Sequence, residues 1–116
     1  MTIERIEPGA RMSQAVAHGG LVFTAGQVAA NSRGADAGVQ TKEILARIDD
    51  LLKQAGTDRS RILSINVWLA NMVDFDAMNA VYDAWVDKAN PPTRACVQSP
   101  LANSGFTVEI AAIAAR

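Results

Sequence analysis

The sequence predicts an α+β sandwich, with a six-stranded mixed sheet and two helices covering one of its faces. Three observations carry that prediction. Two segments of helical length place apolar residues at three- and four-residue spacing. Six short runs are β-prone, and most are neighbours along the chain. The last run is apolar on both of its alternating sides, so it is expected to be buried on both.

The elements follow in order. Residues 2–6 are expected to form an outer strand. Residues 13–18 and 21–25 are two β-prone runs joined by Gly19-Gly20, a pair that supplies the positive φ of a tight hairpin turn. Gly26 closes the second of them, and residues 31–38 read as a loop by composition. Residues 39–55 read as a helix with Ile44, Ile48, Leu51, Leu52 and Ala55 on one stripe. Glu43 with Arg47, and Asp49 with Lys53, are i,i+4 pairs of favourable polarity, each worth about 0.3 kcal/mol. Gly56 stands where a left-handed residue ends a helix. Residues 62–69 alternate Ile65, Val67 and Leu69 with Ser64, Asn66 and Trp68, a strand period. Asp74 is the expected N-cap of a second helix, whose stripe is Phe75, Met78, Tyr82 and Trp85. Pro91-Pro92 cannot continue that helix. Residues 93–98 and 107–115 are the last strands, with Ala111, Ile113 and Ala115 opposing Val108, Ile110, Ala112 and Ala114. If both helices cover one face, the other needs a second cover, most simply another subunit.

Size and composition bound the function. At 116 residues the chain is expected to be one domain, 1–116, burying roughly two-thirds of its unfolded surface. With 49% hydrophobic and 20% charged residues it is not a disordered chain. Lys+Arg 11 against Asp+Glu 12 gives a net charge of −1, which argues against nucleic-acid or anionic-membrane partners. One cysteine cannot form an internal disulfide, and one histidine leaves few ways to build a metal site; no cofactor is expected. The charged start lacks the apolar core of an export signal, and no apolar run approaches a membrane span, so the cytoplasm is the expected compartment. A chain this short has trouble enclosing a pocket alone, so an oligomer with sites between subunits is expected.

Two charges stand out of place. Arg94 lies in Thr93-Arg94-Ala95-Cys96-Val97, and Glu109 in Val108-Glu109-Ile110-Ala111. Burying an unpaired charge costs several kcal/mol, so such groups are paired, solvated in a cleft, or functional. One reading is a structural Arg94–Glu109 salt bridge, or an edge strand with one side in water. In the other, the arginine fork grips a carboxylate while a partly buried glutamate holds a water or shuttles a proton. That pair suits a small acid gaining or losing water or ammonia. His18 reads as a solvated turn histidine. Cys96, on the same face as Arg94, reads as a small buried thiol rather than a nucleophile. Asn79, Tyr82 and Trp85 read as core or helix-surface residues. There is no calcium loop, phosphate loop or nucleophile elbow.

At these residues the chain resembles the Rid family of reactive-intermediate deaminases, the YjgF-like proteins, sometimes labelled L-PSP endoribonucleases. The matching segments are Phe23-Thr24-Ala25-Gly26-Gln27, Asp74-Phe75-Asp76-Ala77-Met78-Asn79, Pro92-Thr93-Arg94-Ala95-Cys96-Val97 and Val108-Glu109-Ile110, with the fifteen-residue interval from Arg94 to Glu109. The resemblance covers nearly the whole chain. It implies a chorismate-mutase-like fold, a homotrimer with a barrel-like centre, and three clefts between subunits. It implies cofactor-free hydrolysis of 2-enamino and 2-imino acids, such as 2-aminoacrylate and 2-iminopropionate, to 2-keto acids and ammonia. Arg94 would bind the substrate carboxylate and Glu109 would orient the water. Gly26 would admit a close backbone approach, and Cys96 would line the cleft. Met12 stands near the place of a cleft-closing tyrosine, and Ala25 where a serine or threonine often precedes the turn glycine. Pro100-Leu101-Ala102 also departs from the commoner pattern. These departures put substrate identity in question more than reaction type.

Three functions compete. The first is the imine deaminase. The second is a non-catalytic trimer binding keto acids in the same Arg94 pocket, with Met12 and Ala25 as the reasons activity was lost. The third is a ribonuclease, which a charge of −1, no basic cluster and one histidine do not support.

Overall fold

A computed structural model describes residues 2–116. Seven strands form one sheet: β1 (Glu4–Pro8), β2 (Ser13–His18), β3 (Leu21–Thr24), β4 (Gln27–Val28), β5 (Ile62–Leu69), β6 (Thr93–Gln98) and β7 (Val108–Ala115). Two helices complete it, α1 (Ala37–Gln54) and α2 (Phe75–Trp85). The strand order is β1-β2-β3-β7-β5-β6, with β4 also pairing β7. Only β5 and β6 run parallel, joined by the crossover through α2; every other pairing is antiparallel. The mixed α+β sandwich is therefore as expected, and the six expected strands are present. The seventh, β4, is two residues long, too short for a period-two signal to register.

One face of the sheet carries the core. Ala15, Ala17, Val22, Ile65, Val67, Leu69, Val108, Ile110, Ala112 and Ala114 are buried there against Ile44, Leu45, Ile48, Leu51, Leu52, Met78 and Tyr82 of the helices. Helix α1 ends as its sequence dictates. Gly56 has φ 81°, its N–H donates to Lys53 O at 3.0 Å, and the Thr57 N–H donates to Leu52 O at 2.9 Å. Those two bonds satisfy carbonyls that the helix end would leave bare. Gly19 and Gly20, at φ 61° and 84°, make the hairpin turn.

Several local expectations give way to tertiary partners. The first strand is Glu4–Pro8 rather than 2–6, because pairing Ile6 with Ala15 and Pro8 with Ser13 extends the hairpin toward its turn. Helix α1 starts two residues early, since the Asp36 side chain accepts the Val39 N–H at 2.9 Å and draws Ala37 and Gly38 out of the expected loop. Asp74 makes no side-chain cap. Asn71 instead accepts the Val73 N–H at 2.9 Å and starts a 3-10 turn that leads into α2. Neither expected i,i+4 ion pair is among the salt bridges of the described residues. Glu43 accepts from the Asn31 N–H and the Ser32 hydroxyl, Arg47 donates to Glu7 and Asp50, and Asp49 accepts from Arg59 and the Trp85 indole. Partners fixed by the fold win over flexible neighbours worth a few tenths of a kcal/mol each.

Candidate functional site

Arg94 lies on β6, an edge strand of the sheet. In register it is level with Ile65, and Ile65 is level with Ala112, both buried beneath the helices. Paired residues share a face, so the Arg94 side chain rises on the helix side. There Nη1 donates to Asn79 Oδ1 at 2.7 Å. The guanidinium carbon lies 4.7 Å from the Tyr82 ring centroid and 5.9 Å from that of Phe75. Among the described residues no carboxylate forms a salt bridge with Arg94. A half-buried cation held by an uncharged acceptor and two rings has no counter-charge beside it among the described residues, and its remaining donors suit a planar anion.

Cys96 is two residues along the same side of β6, half-buried against the core. Burial pushes its thiol up, with Arg94 pulling weakly the other way. The one histidine, His18, is exposed at the opposite end of the sheet. It pairs with Leu21, which faces Ala115, five positions along β7 from Ile110, and Ile110 is level with Val67 and Cys96. The thiol therefore has no imidazole beside it, in line with a bystander rather than a nucleophile.

Glu109 lies on the other side of the sheet. It is level with Trp68 and Val28, and its neighbours Val108 and Ile110 point into the core. Burial raises its carboxyl above the ordinary value of 4.5. The chain opposite is deformed to receive it. Phe23 pairs with Ile113 and Gln27 with Ile110, so four steps on one strand face three on the other. The extra residue makes a bulge at Ala25-Gly26, a feature often found beside functional sites. The Thr24 hydroxyl accepts the Ala112 N–H at 2.9 Å in place of a backbone carbonyl. The Ala25 N–H donates to Gln14 O at 2.8 Å, and the buried Gln27 amide donates to Gln14 Oε1 at 3.0 Å and Ala25 O at 3.2 Å. Pinned this way, Gly26 meets the Glu109 carboxylate so closely that a Cβ there would overlap it, coming within 2.9 Å of the carboxyl carbon.

Met12, 46% exposed, stands beside this half. A groove of about 570 Å³ opens between Met12, Gln14, Gly26 and Gln27 on one side and Glu43 and Arg47 of α1 on the other, and Glu109 is not among its lining residues. The structure thus brings Gly26 against Glu109 and sets Met12 on the groove beside Gly26, with Arg94 and Cys96 in another region. The Arg94–Glu109 salt bridge of the purely structural reading does not form, because the sheet lies between the two side chains. Five residues outside the sequence-based candidates complete the geometry. Phe75, Asn79 and Tyr82 surround the guanidinium, and Gln14 with Gln27 fixes the bulge. The i, i+4, i+7 spacing of Phe75, Asn79 and Tyr82 was the available signal for a shared helix face. Among the described residues no group of three His, Cys, Asp or Glu side chains gathers to hold a metal ion. No helix there is long and apolar enough to cross a membrane.

Comparison with known proteins gives a consistent result. The family model described as Endoribonuclease L-PSP matches residues 2–116. A RutC family protein of Haemophilus influenzae is 44% identical over 98% of both chains. The RutC family protein YoaB of Escherichia coli is 41% identical over 99% of both. A crystal structure of a YjgF family member from Neisseria meningitidis superposes with a TM-score of 0.96 at 38% identity, covering 100% of this chain and 96% of that one. Yeast Mmf1 shares the fold at a TM-score of 0.91 and 21% identity.

Proposed function

The chain belongs to the Endoribonuclease L-PSP family, which the YjgF- and RutC-named relatives place it among, and from that premise we propose that it hydrolyses 2-enamino and 2-imino acids, such as 2-aminoacrylate and 2-iminopropionate, to 2-keto acids and ammonia. One observation carries this reading. Two ionisable side chains lie in apolar strands with no ionic partner among the described residues, an arginine and a glutamate whose carboxyl burial raises above its ordinary value.

In the proposed reaction Arg94 takes the substrate carboxylate with its free donors. Protonation of the enamine carbon by solvent gives the iminium, the protonated imine. Glu109 orients a water and accepts its proton as the oxygen bonds to the iminium carbon and the C=N π pair moves onto nitrogen. The carbinolamine nitrogen takes that proton from Glu109, the C–N bond breaks to release ammonia, and the hydroxyl proton passes to the Glu109 carboxylate as the carbonyl forms, then on to solvent. Imines hydrolyse readily, so placing the water and stabilising the developing charge is enough. Gly26 leaves room for the carboxylate of Glu109 and for the substrate. Met12 and Ala25 set the size of side chain admitted, and Cys96 lines the arginine side.

Arg94 and Glu109 lie on opposite faces of one sheet, so a single protomer cannot aim both at one small molecule. We therefore propose a homotrimer in which each site takes Arg94 from one protomer and Glu109 from the next. The assay is release of ammonia and keto acid from imines generated in place by an amino-acid oxidase or a dehydratase. Arg94→Ala is expected to abolish release while the assembly stays intact. Full activity in Arg94→Ala would overturn the carboxylate role. Pyruvate binding without turnover in the parent protein would leave a keto-acid binder in place of an enzyme.

A further inference from the structure

We propose that Asn79 is a positioning residue that aims the Arg94 guanidinium without neutralising it. The inference rests on the reading of Arg94 as the carboxylate site. An arginine on an edge strand has four rotatable bonds and, left free, spreads its charge over many directions. Here α2 removes that freedom. Phe75, Asn79 and Tyr82 fall on one face of the helix, at i, i+4 and i+7. Tyr82 lies 4.7 Å and Phe75 5.9 Å from the guanidinium carbon, and the Asn79 carbonyl oxygen takes Nη1 at 2.7 Å.

The choice of an amide is the informative part. A carboxylate in the place of Asn79 would orient the guanidinium equally well. It would also close a half-buried ion pair, and an incoming substrate carboxylate would have to compete with it. An aliphatic side chain would leave the charge intact but the fork unaimed. Asparagine has about the shape of aspartate and carries an acceptor without a charge. It fixes one edge of the fork and leaves the other donors and the full positive charge for a ligand. The rings favour the cation without supplying a counter-charge.

The test uses the full-length protein, with pyruvate as probe. Side-chain NMR of the ligand-free protein follows the Arg94 guanidinium, and titration measures the pyruvate Kd. In the parent the Arg94 signal should be sharp and ordered. Asn79→Ala should loosen that signal and raise the Kd about tenfold, the loss expected for one hydrogen bond to a charged group. Asn79→Asp should keep the signal ordered yet raise the Kd further, about a hundredfold, with affinity returning as pH falls and the new carboxyl is protonated. A residue with a merely structural role would not separate order from affinity in this way. An ordered Arg94 signal and an unchanged Kd in Asn79→Ala would overturn the proposal, as would an Asn79→Asp variant that binds like the parent. If Arg94→Ala binds pyruvate as well as the parent, the functional reading fails instead, and the loosened signal in Asn79→Ala still reports the brace.

Discussion

Gly26 leaves the space that the Glu109 carboxylate fills, and each residue makes a prediction that the other checks. A Cβ on Gly26 would meet the carboxylate end of Glu109. That end is flexible, so Gly26→Ala should cost little stability but should displace the carboxylate. A misplacement on the scale of an ångström is expected to cost about a hundredfold in turnover, with the urea midpoint nearly unchanged. A parent-like rate would show that the position of Glu109 does not matter. The second prediction is thermodynamic. Burial raises the Glu109 carboxyl in the folded protein, so the native state penalises its charged form. That penalty is fully present above the raised value, fades as pH falls through it, and is gone below the ordinary 4.5. Glu109→Gln should therefore be more stable than the parent at pH 8, and the difference should vanish under acid conditions. Urea melts at a series of pH values measure this, and a difference independent of pH would refute it. Glu7 has the opposite sign. The Arg47 and Gln54 side chains hold its carboxyl down at about 2, so its contribution is present above the ordinary 4.5 and is lost only in strong acid.

The caps of the two helices show where local sequence rules hold and where context overrides them. Gly56 is the residue its position demands. Its φ of 81° strains any side chain, so Gly56→Ala should destabilise the protein by about 1 kcal/mol. At the start of α2 the roles are exchanged. Asn71 accepts a backbone N–H through its side chain, and Asp74 accepts none. Asn71→Ala should cost about 1 kcal/mol, while Asp74→Ala should cost less, losing only a charge near the helix N-terminus; equal losses in urea melts would contradict this. Both aspartate and asparagine favour caps, so local chemistry cannot choose between positions three residues apart. The same limit explains β4 and the site. Ile65, Val67 and Leu69 announced their strand because a period of two is a local property. Arg94 and Glu109 were conspicuous because a charge in an apolar run is local too. That they face opposite ways depends on strand register across β5 and β7. The bulge at Ala25-Gly26 depends on two strands counted against each other. Asn79 carried no mark of its own, since an asparagine on a helix looks like any other surface residue until the arginine it holds is in place.

At the scale of the whole molecule, the helix-covered face is finished and the other is not. Its rows run Val97-Trp68-Glu109-Val28 and Ser64-Ile113-Phe23, with Leu21 opposite Ala115 at the end. Phe23 is 42% exposed and Val97 49% exposed on that surface. An apolar face with one embedded glutamate fits contact with copies of the same chain, which would also bring the Arg94 of one protomer toward the Glu109 of another. Phe23→Glu should then leave a folded monomer by light scattering, and one without imine hydrolysis; an active monomer would refute the shared site. A subunit-mixing experiment decides the geometry directly. Arg94→Ala protomers lack one half of the site and Glu109→Gln protomers lack the other, so each variant alone should be inactive. If every site draws its two halves from neighbouring protomers of a closed ring of three, any mixed ring contains one junction with an intact arginine and an intact glutamate. Equal, random mixing by co-expression or joint refolding should therefore restore about a quarter of the parental rate. If both halves came from one chain, every site in the mixture would still lack one of them, and mixing would restore nothing.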